Sequence, residues 1–452
     1  MLASLVLRFI LRLVLILVVA VFLFLAVSVI PIDNTLPPEK DFYPTMQERL
    51  RALDTVAIPA PSSGFSVGYA RVNITPSHPT SMAGSGLRRL RYEGVHDSIF
   101  VQSMVVGNRG NKVAIVSLDM LLVPPEVTMA LDDALKGTGF SLDNTYLSAT
   151  HTHSSIGNWG RRLSGYLYSG PYHQDLVDDI VDRITESIKQ ADQRKQPAEL
   201  FVGQIPVPDM LYNRVAREAG TLDSMLRVIE VRRAADTLLI ASFTGHATCD
   251  ASGSLHISRD YPGVFTDALE RNGYAFAMFM AGAVGSHGCK SASRGMETVQ
   301  AVGTKLADIF LKERNRLDPL QDSSLLMTRT PLELGEPQFK VLKDWRVRPW
   351  LFRAVFGSYS PELTALRIGN VMLLGTPCDF SGELMPPIDS AARAHGMNAM
   401  VTSFNGQYIG YITADQWYDV DHYETRLMNW FGPGNGAYVT ESLVSVIDAL
   451  GE

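Results

Sequence analysis

The residues best suited to chemistry in this chain are three histidines and one acid. His151 and His153 form a His-x-His within Ala149-Thr150-His151-Thr152-His153-Ser154. Extended backbone alternates its faces, so residues two apart point the same way and two imidazoles can share a pocket. Imidazole is a common ligand of zinc. Taken alone, two nearby histidines suit an ordinary loop as well as a metal site. A third, His246, ends the apolar run 238–243 in Thr244-Gly245-His246-Ala247-Thr248. Asp379 follows another apolar strand, in Gly375-Thr376-Pro377-Cys378-Asp379. Three strand ends that each deliver a metal-capable side chain form a set that chance assembles less readily than any one member. The three cysteines lie close to these motifs, at Cys249, Cys289 and Cys378. In an oxidising compartment one pair could bond; as buried thiols they would serve as small apolar residues.

Positioning such residues needs a frame, and the hydrophobic pattern predicts one. Strands are expected at 65–72, 99–106, 113–118, 145–149 and 275–281 from their apolar, β-branched runs. A pair at 225–232 and 237–244 and a hairpin at 363–374, turning at Gly369-Asn370, complete them. Helical periodicity marks 125–136, 174–194, 261–272, 298–314 and 437–450. The alternation predicts one mixed α/β domain over residues 66–452. With 46% hydrophobic residues the chain can bury a large core. A net charge of −7 disfavours nucleic acid as a partner.

The N-terminus has a different character. Residues 13–30 are an apolar run without charge, about 27 Å long as a helix, close to a hydrocarbon core. Arg8 and Arg12 precede it, while Asp33, Glu39, Lys40 and Asp41 follow. The positive-inside rule then predicts a single-pass membrane protein, with residues 1–30 as anchor and the body on the exported side. The length of the run and the lack of a small-x-small site favour an anchor over a cleaved signal. Residues 31–65, punctuated by Pro31, Pro37, Pro38, Pro44, Pro59 and Pro61 and ending in Ser62-Ser63-Gly64, read as a tether with a short helix at 45–57. Trp345, Arg346, Arg348, Trp350, Leu351, Phe352, Arg353 and Phe356 suit either a membrane-interfacial surface or a buried linker.

The order of the motifs resembles the neutral/alkaline non-lysosomal ceramidases over residues 66–450. It rests on Val67-Gly68-Tyr69-Ala70-Arg71-Val72-Asn73-Ile74-Thr75-Pro76, Gly94-Val95-His96-Asp97, Val116-Ser117-Leu118-Asp119 and Asn213-Arg214. Ser148-Ala149-Thr150-His151-Thr152-His153-Ser154 is the most specific match, and residues 405–413 with Tyr423-Glu424 resemble the C-terminal signature. The resemblance implies an α/β, mixed-sheet catalytic domain of the neutral ceramidase type, without the C-terminal β-sandwich of those enzymes. It implies one zinc ion, ligated by His151, His246, Asp379 and Tyr411, with His153, Arg214 and Tyr423 facing the substrate. Tyr408 competes with Tyr411, which is preferred for its twelve-residue spacing from Tyr423. Asp379 stands where the family carries a glutamate, one methylene longer. The family's Gln-Ser-Asn-Val-Gly-Asp reads Ala281-Gly282-Ala283-Val284-Gly285-Ser286 here, so Gly282 occupies the serine position.

The chemistry so implied is hydrolysis of an amide, leading to an N-acyl lipid such as ceramide as the substrate class. Zinc-activated water would be the nucleophile, His153 an acid or base, and Arg214 and Tyr423 oxyanion stabilisers. Two other readings stay open at this level: a lipid-binding scaffold that has lost turnover, and a metal-dependent esterase or phosphatase using the same pocket.

Overall fold

Strand and helix patterns alternate from residue 65 onward. The computed structural model, which describes residues 2–59, 64–86, 91–358 and 360–451, folds them into two stacked sheets between helices. Ahead of them come helix α1 (Leu2–Ser28), strand β1 (Val29–Pro31) and helix α2 (Phe42–Ala52). The larger sheet contains β2 (Phe65–Asn73), β3 (Phe100–Gly107), β4 (Lys112–Leu118), β5 (Thr145–Ala149), β6 (Gln196–Pro206), β7 (Met225–Arg233), β8 (Thr237–Phe243) and β9 (Phe276–Ala281). Their spatial order is β9-β8-β7-β6-β2-β3-β4-β5, and Asp318–Pro319 adds a short strand to β6. Next in sequence are β10 (Leu325–Pro331), β11 (Trp345–Val347), β12 (Glu362–Ile368), β13 (Val371–Thr376) and β14 (Asn398–Ser403). The second sheet runs β10-β12-β13-β14, while β11 pairs with β1.

Most neighbours are antiparallel. The pairs β4–β5, β8–β9 and β13–β14 are parallel. Parallel strands are covered on both faces, which explains why β4, β8 and β9 read as near-continuous apolar runs. Ile115, Tyr146 and Met278 of the larger sheet meet Leu366, Leu373 and Met400 of the smaller one. Helices α3 (Pro125–Ala134), α4 (Leu163–Ser169), α5 (Gln174–Gln193), α6 (Asp260–Arg271), α7 (Met296–Glu313), α8 (Pro349–Phe356), α9 (Met385–Ala394) and α10 (Asn435–Leu450) follow in chain order. Of these, α3 and α5 cover one part of the large sheet, and α6 and α7 another. With α2, α9 and α10 on the small sheet, the layers run helix, sheet, sheet, helix. In α5, Val177, Ile180, Val181, Ile184 and Ile188 form the apolar stripe that seats it.

The expected strands and helices of the domain form within a few residues of their predicted limits, including the hairpin, where Ile368 pairs with Val371. One expectation needs correction, and one open alternative is decided at Arg346. Residues 31–65 are not a free tether: Met46 and Leu50 of α2, with Leu53, are buried in the core formed with α10. Their spacing is an apolar helical stripe, which gains stability only by burial. Pro61, Ser62 and Ser63, at the expected end of the tether, lie outside the described residues. Of the two readings of the 345–356 segment, Arg346 takes the buried one. It is buried, with its guanidinium donating to Pro337 O at 2.7 Å and Pro31 O at 3.4 Å.

Within α1, Val6–Ser28 is long and apolar enough to cross a membrane, and its side chains are exposed as far as Val27, while Ser28 is buried against the domain.

Candidate metal centre

The site is assembled at strand ends. β5 stops at Ala149, β8 at Phe243 and β13 at Thr376, and His151, His246 and Asp379 follow each of them closely. All three strands have a parallel neighbour, and the C-terminal edge of parallel strands is where open α/β sheets place ligands.

The His-x-His reaches the site by a turn, not by strand alternation as expected. His151 has φ 60, in the left-handed region that side chains other than glycine seldom enter. Strain of this kind persists where the surroundings enforce it. Phe404, itself at φ 68, stacks on the His151 ring at 4.1 Å between centroids.

Three imidazole nitrogens converge. Nε2 of His151 is 2.8 Å from Nε2 of His246, and Nε2 of His153 is 3.1 Å and 3.0 Å from those two atoms. Each opposite nitrogen meets a backbone carbonyl. Nδ1 of His151 faces Leu121 O at 2.6 Å, Nδ1 of His246 faces Val284 O at 3.3 Å, and Nδ1 of His153 faces Gly84 O. A carbonyl only accepts, so each Nδ1 carries the proton and donates it. Burial, first among the causes, holds His151 and His246 well below the ordinary imidazole pKa, so both rings are neutral. Their Nε2 atoms are therefore bare lone pairs.

A carboxylate completes the set. Oδ1 of Asp379 lies 3.4 Å from Nε2 of His151 and takes part in no hydrogen bond. Oδ2 accepts from the Tyr408 hydroxyl at 2.6 Å. Burial pushes the Asp379 carboxyl up to about 7, against the lowering influence of Tyr408 and Arg214. Lone pairs gathered with no hydrogen between them repel one another unless a cation joins them. Nitrogen donors held by second contacts to carbonyls, beside a buried carboxylate oxygen, are a donor set suited to a divalent transition ion. The buried His151, His153 and His246 group can thus hold a metal ion.

The expected site residues are brought together in part. His151, His246 and Asp379 meet. His153, expected to face the substrate, lines the cavity and also converges with His151 and His246. Tyr411 pairs with Asp379 in the register of two short parallel strands, and its hydroxyl is 3.4 Å from that of Tyr423. Tyr408 donates its hydroxyl to Asp379, and Tyr411 also acts on that carboxyl through a side-chain hydrogen bond. Arg214 is buried, with Nε 2.9 Å from the Glu424 carboxylate and its guanidinium over the Tyr423 ring. Burial drives the Glu424 carboxyl up to about 8 even beside that arginine.

His151, His153, Arg214, Asp379, Tyr411 and Tyr423 line one cavity of about 680 Å³, whose wall includes Leu121, Trp159, Tyr168, Phe356 and Trp430. Glu424, Phe404 and the Gly84 carbonyl were not expected as parts of the site. The glycines in Ala83-Gly84-Ser85-Gly86 were the available signal for the last of these.

Neither Ser286 nor the Gly282 position offers an activated serine. Ser286 Oγ lies 2.8 Å from Nδ1 of His287, but the Asp223 N–H donates to His287 Nε2 at 2.9 Å. That leaves the ring proton on Nδ1, so His287 cannot take one from Ser286. At Gly282 a Cβ would lie 3.0 Å from Phe243 O and from Ser242 Oγ, tighter than ordinary contact. All three cysteines are free and buried.

Residues 65–219 match the family model described as neutral/alkaline non-lysosomal ceramidase, N-terminal. Neutral ceramidase 2 of Arabidopsis thaliana is 26% identical over 155 residues, 33% of this chain and 20% of that protein. The neutral ceramidase of Pseudomonas aeruginosa is 26% identical over 243 residues, 48% of this chain and 36% of that protein. The matches therefore span about a fifth to a third of these curated relatives. The crystal structure of the Pseudomonas aeruginosa neutral ceramidase superposes with a TM-score of 0.73 at 19% identity, covering 86% of this chain and 75% of that one. Residues 65–219 thus resemble the neutral/alkaline non-lysosomal ceramidases by sequence, and the fold of the Pseudomonas aeruginosa enzyme is shared across most of the chain.

Proposed function

We propose that this protein is a membrane-anchored, zinc-dependent amidohydrolase that cleaves an N-acyl lipid such as ceramide with water as nucleophile. The observation that carries it is the convergence of three imidazole Nε2 atoms, two of them from residues lining a cavity with aromatic walls. His151, His153 and His246 hold the ion, and Asp379 adds a carboxylate oxygen. When bound, zinc supplies Lewis acidity and lowers the pKa of water from about 15.7 to about 7. Arg214 offers a buried Nη1 without a hydrogen-bond partner to the oxygen of a substrate carbonyl. Glu424 fixes the guanidinium that carries it, and Tyr423 stands beside it at the cavity mouth. The crowding at Gly282 and the tautomer of His287 favour direct attack by water over an acyl-enzyme on serine. Arg8 and Arg12 ahead of the apolar run support an exported catalytic domain by the positive-inside rule.

The test is turnover by the full chain in detergent, on a panel of N-acyl lipid amides read by mass spectrometry. Chelation abolishes product, zinc restores it, and His246→Ala gives none. Equal product from wild type and His246→Ala would defeat the mechanism.

A further inference from the structure

The apolar helix does not end in a loop. The last turn of α1 runs directly into β1, where Val29, Ile30 and Pro31 pair with Val347, Arg346 and Trp345 of β11. Ser28 O accepts from the Arg348 N–H at 2.7 Å, and the Trp350 indole N–H reaches Val27 O at 3.4 Å. The end of α1 is thus bonded to the start of α8. That helix is 8 residues long, about 12 Å, and its last residue, Phe356, lines the cavity. A headgroup layer is roughly 5–7 Å deep on each side of the hydrocarbon. The cavity wall consequently begins within about two such layers of the point where α1 would leave the hydrocarbon.

Side chains around these elements have the character of an interface. α4 packs beside α8 and gives Ser164, Gly165 and Tyr168 to the cavity. Leu342 is 62% exposed, Leu163 52%, Trp350 51% and Trp345 44%. Tyr166 and Tyr168 are exposed as well. Large apolar groups gathered on one surface mark a site of association, and tryptophan and tyrosine are the residues enriched at headgroup depth.

We propose that the rim formed by α4, β11 and α8 sits in the headgroup layer of the bilayer that α1 spans. A lipid substrate then passes from the bilayer into the cavity beside Tyr168 and Phe356 without crossing bulk water. The occupant of this surface is a phospholipid bilayer, because the surface is continuous with the helix that enters one. The inference rests on α1 as an anchor and adds the route of the substrate to the proposed function.

The test needs no turnover. The full chain is reconstituted in phosphatidylcholine vesicles containing lipids brominated near the headgroup or near the chain end. Shallow bromines quench tryptophan emission about twofold more than deep ones. The double variant Trp345→Phe/Trp350→Phe loses most of that quenching, and aqueous iodide has little effect on the wild type. A chain that stays in the membrane through a carbonate wash, yet has Trp345 and Trp350 quenched by iodide and not by bromolipid, overturns the rim. A chain washed off the vesicles overturns the anchor and the inference together. Shallow quenching in a protein that cleaves no amide refutes the enzyme reading and leaves the rim standing.

Discussion

Gly84→Ala tests whether His153 is a metal donor without touching any donor atom. Gly84 has φ +111, and its carbonyl accepts the proton on Nδ1 of His153. A Cβ at Gly84 would lie 2.6 Å from the His153 Cα and 2.9 Å from its Cβ, against ordinary contact from 3.4 Å. The two segments must part by about 0.8 Å, whereas metal–ligand distances tolerate only about 0.2 Å. Disturbing a contact that orients a ligand typically costs about 10–100-fold in metal affinity. The expected result is a fall of that size in zinc affinity, read by competition with a chromogenic chelator. Gly86→Ala is the control, since Gly86 also has a positive φ of +59 but nothing within 4 Å of the added Cβ. It also sets an alanine at positive φ, there within the left-handed region, and leaves His153 in place. Folded Gly84→Ala protein binding zinc as tightly as Gly86→Ala would refute His153 as a donor.

Other consequences can be measured separately. Arg214→Met leaves the Glu424 carboxyl buried without its partner and lowers stability by about 3 kcal/mol in urea titration. Adding Glu424→Gln recovers most of that loss but no turnover; recovery of turnover would remove Arg214 from the mechanism. Gly282→Ser crowds Phe243 O and Ser242 Oγ, costs about 1–3 kcal/mol, and yields no acyl adduct by intact mass. Burial holds His287 at about 4, below its ordinary value, so the unfolded chain takes up a proton on acidification before the folded one does. That contribution is full above about pH 6.5 and is lost as pH falls towards 4, about 2 kcal/mol by pH 5. Urea midpoints at pH 7 and pH 5 show it, and an equal drop in His287→Gln would contradict it.

The sequence carried the frame well because burial on both faces writes itself as long apolar runs. β4, β8 and β9 are of this kind, and α5 displays its stripe openly. The histidines were legible as a set because each follows such a run. Their geometry was not. The approach of His151 to His153 depends on a left-handed φ at a histidine and on a stacked Phe404 more than 250 positions away, neither of which has a local signature. Spacing alone could not show that Tyr408 and Tyr411 both stand beside Asp379, since their approach is set by tertiary packing. Prolines suggested a tether at 31–65, but the stripe of Met46, Leu50 and Leu53 outweighs them once α10 is there to receive it.

The bond between α1 and α8 also has a kinetic side. The partners Val27 and Trp350 are separated by 323 residues. At about 5–20 residues per second, the ribosome needs roughly 15–65 s after making Val27 before Trp350 exists. Throughout that interval β1 presents an unpaired edge, and α2 has neither α10 nor the smaller sheet to cover it. Closure of this corner is therefore a late, long-range step, of the high contact order that slows folding. Slowed translation or failed membrane insertion should leave its mark on this corner before it reaches the histidine centre.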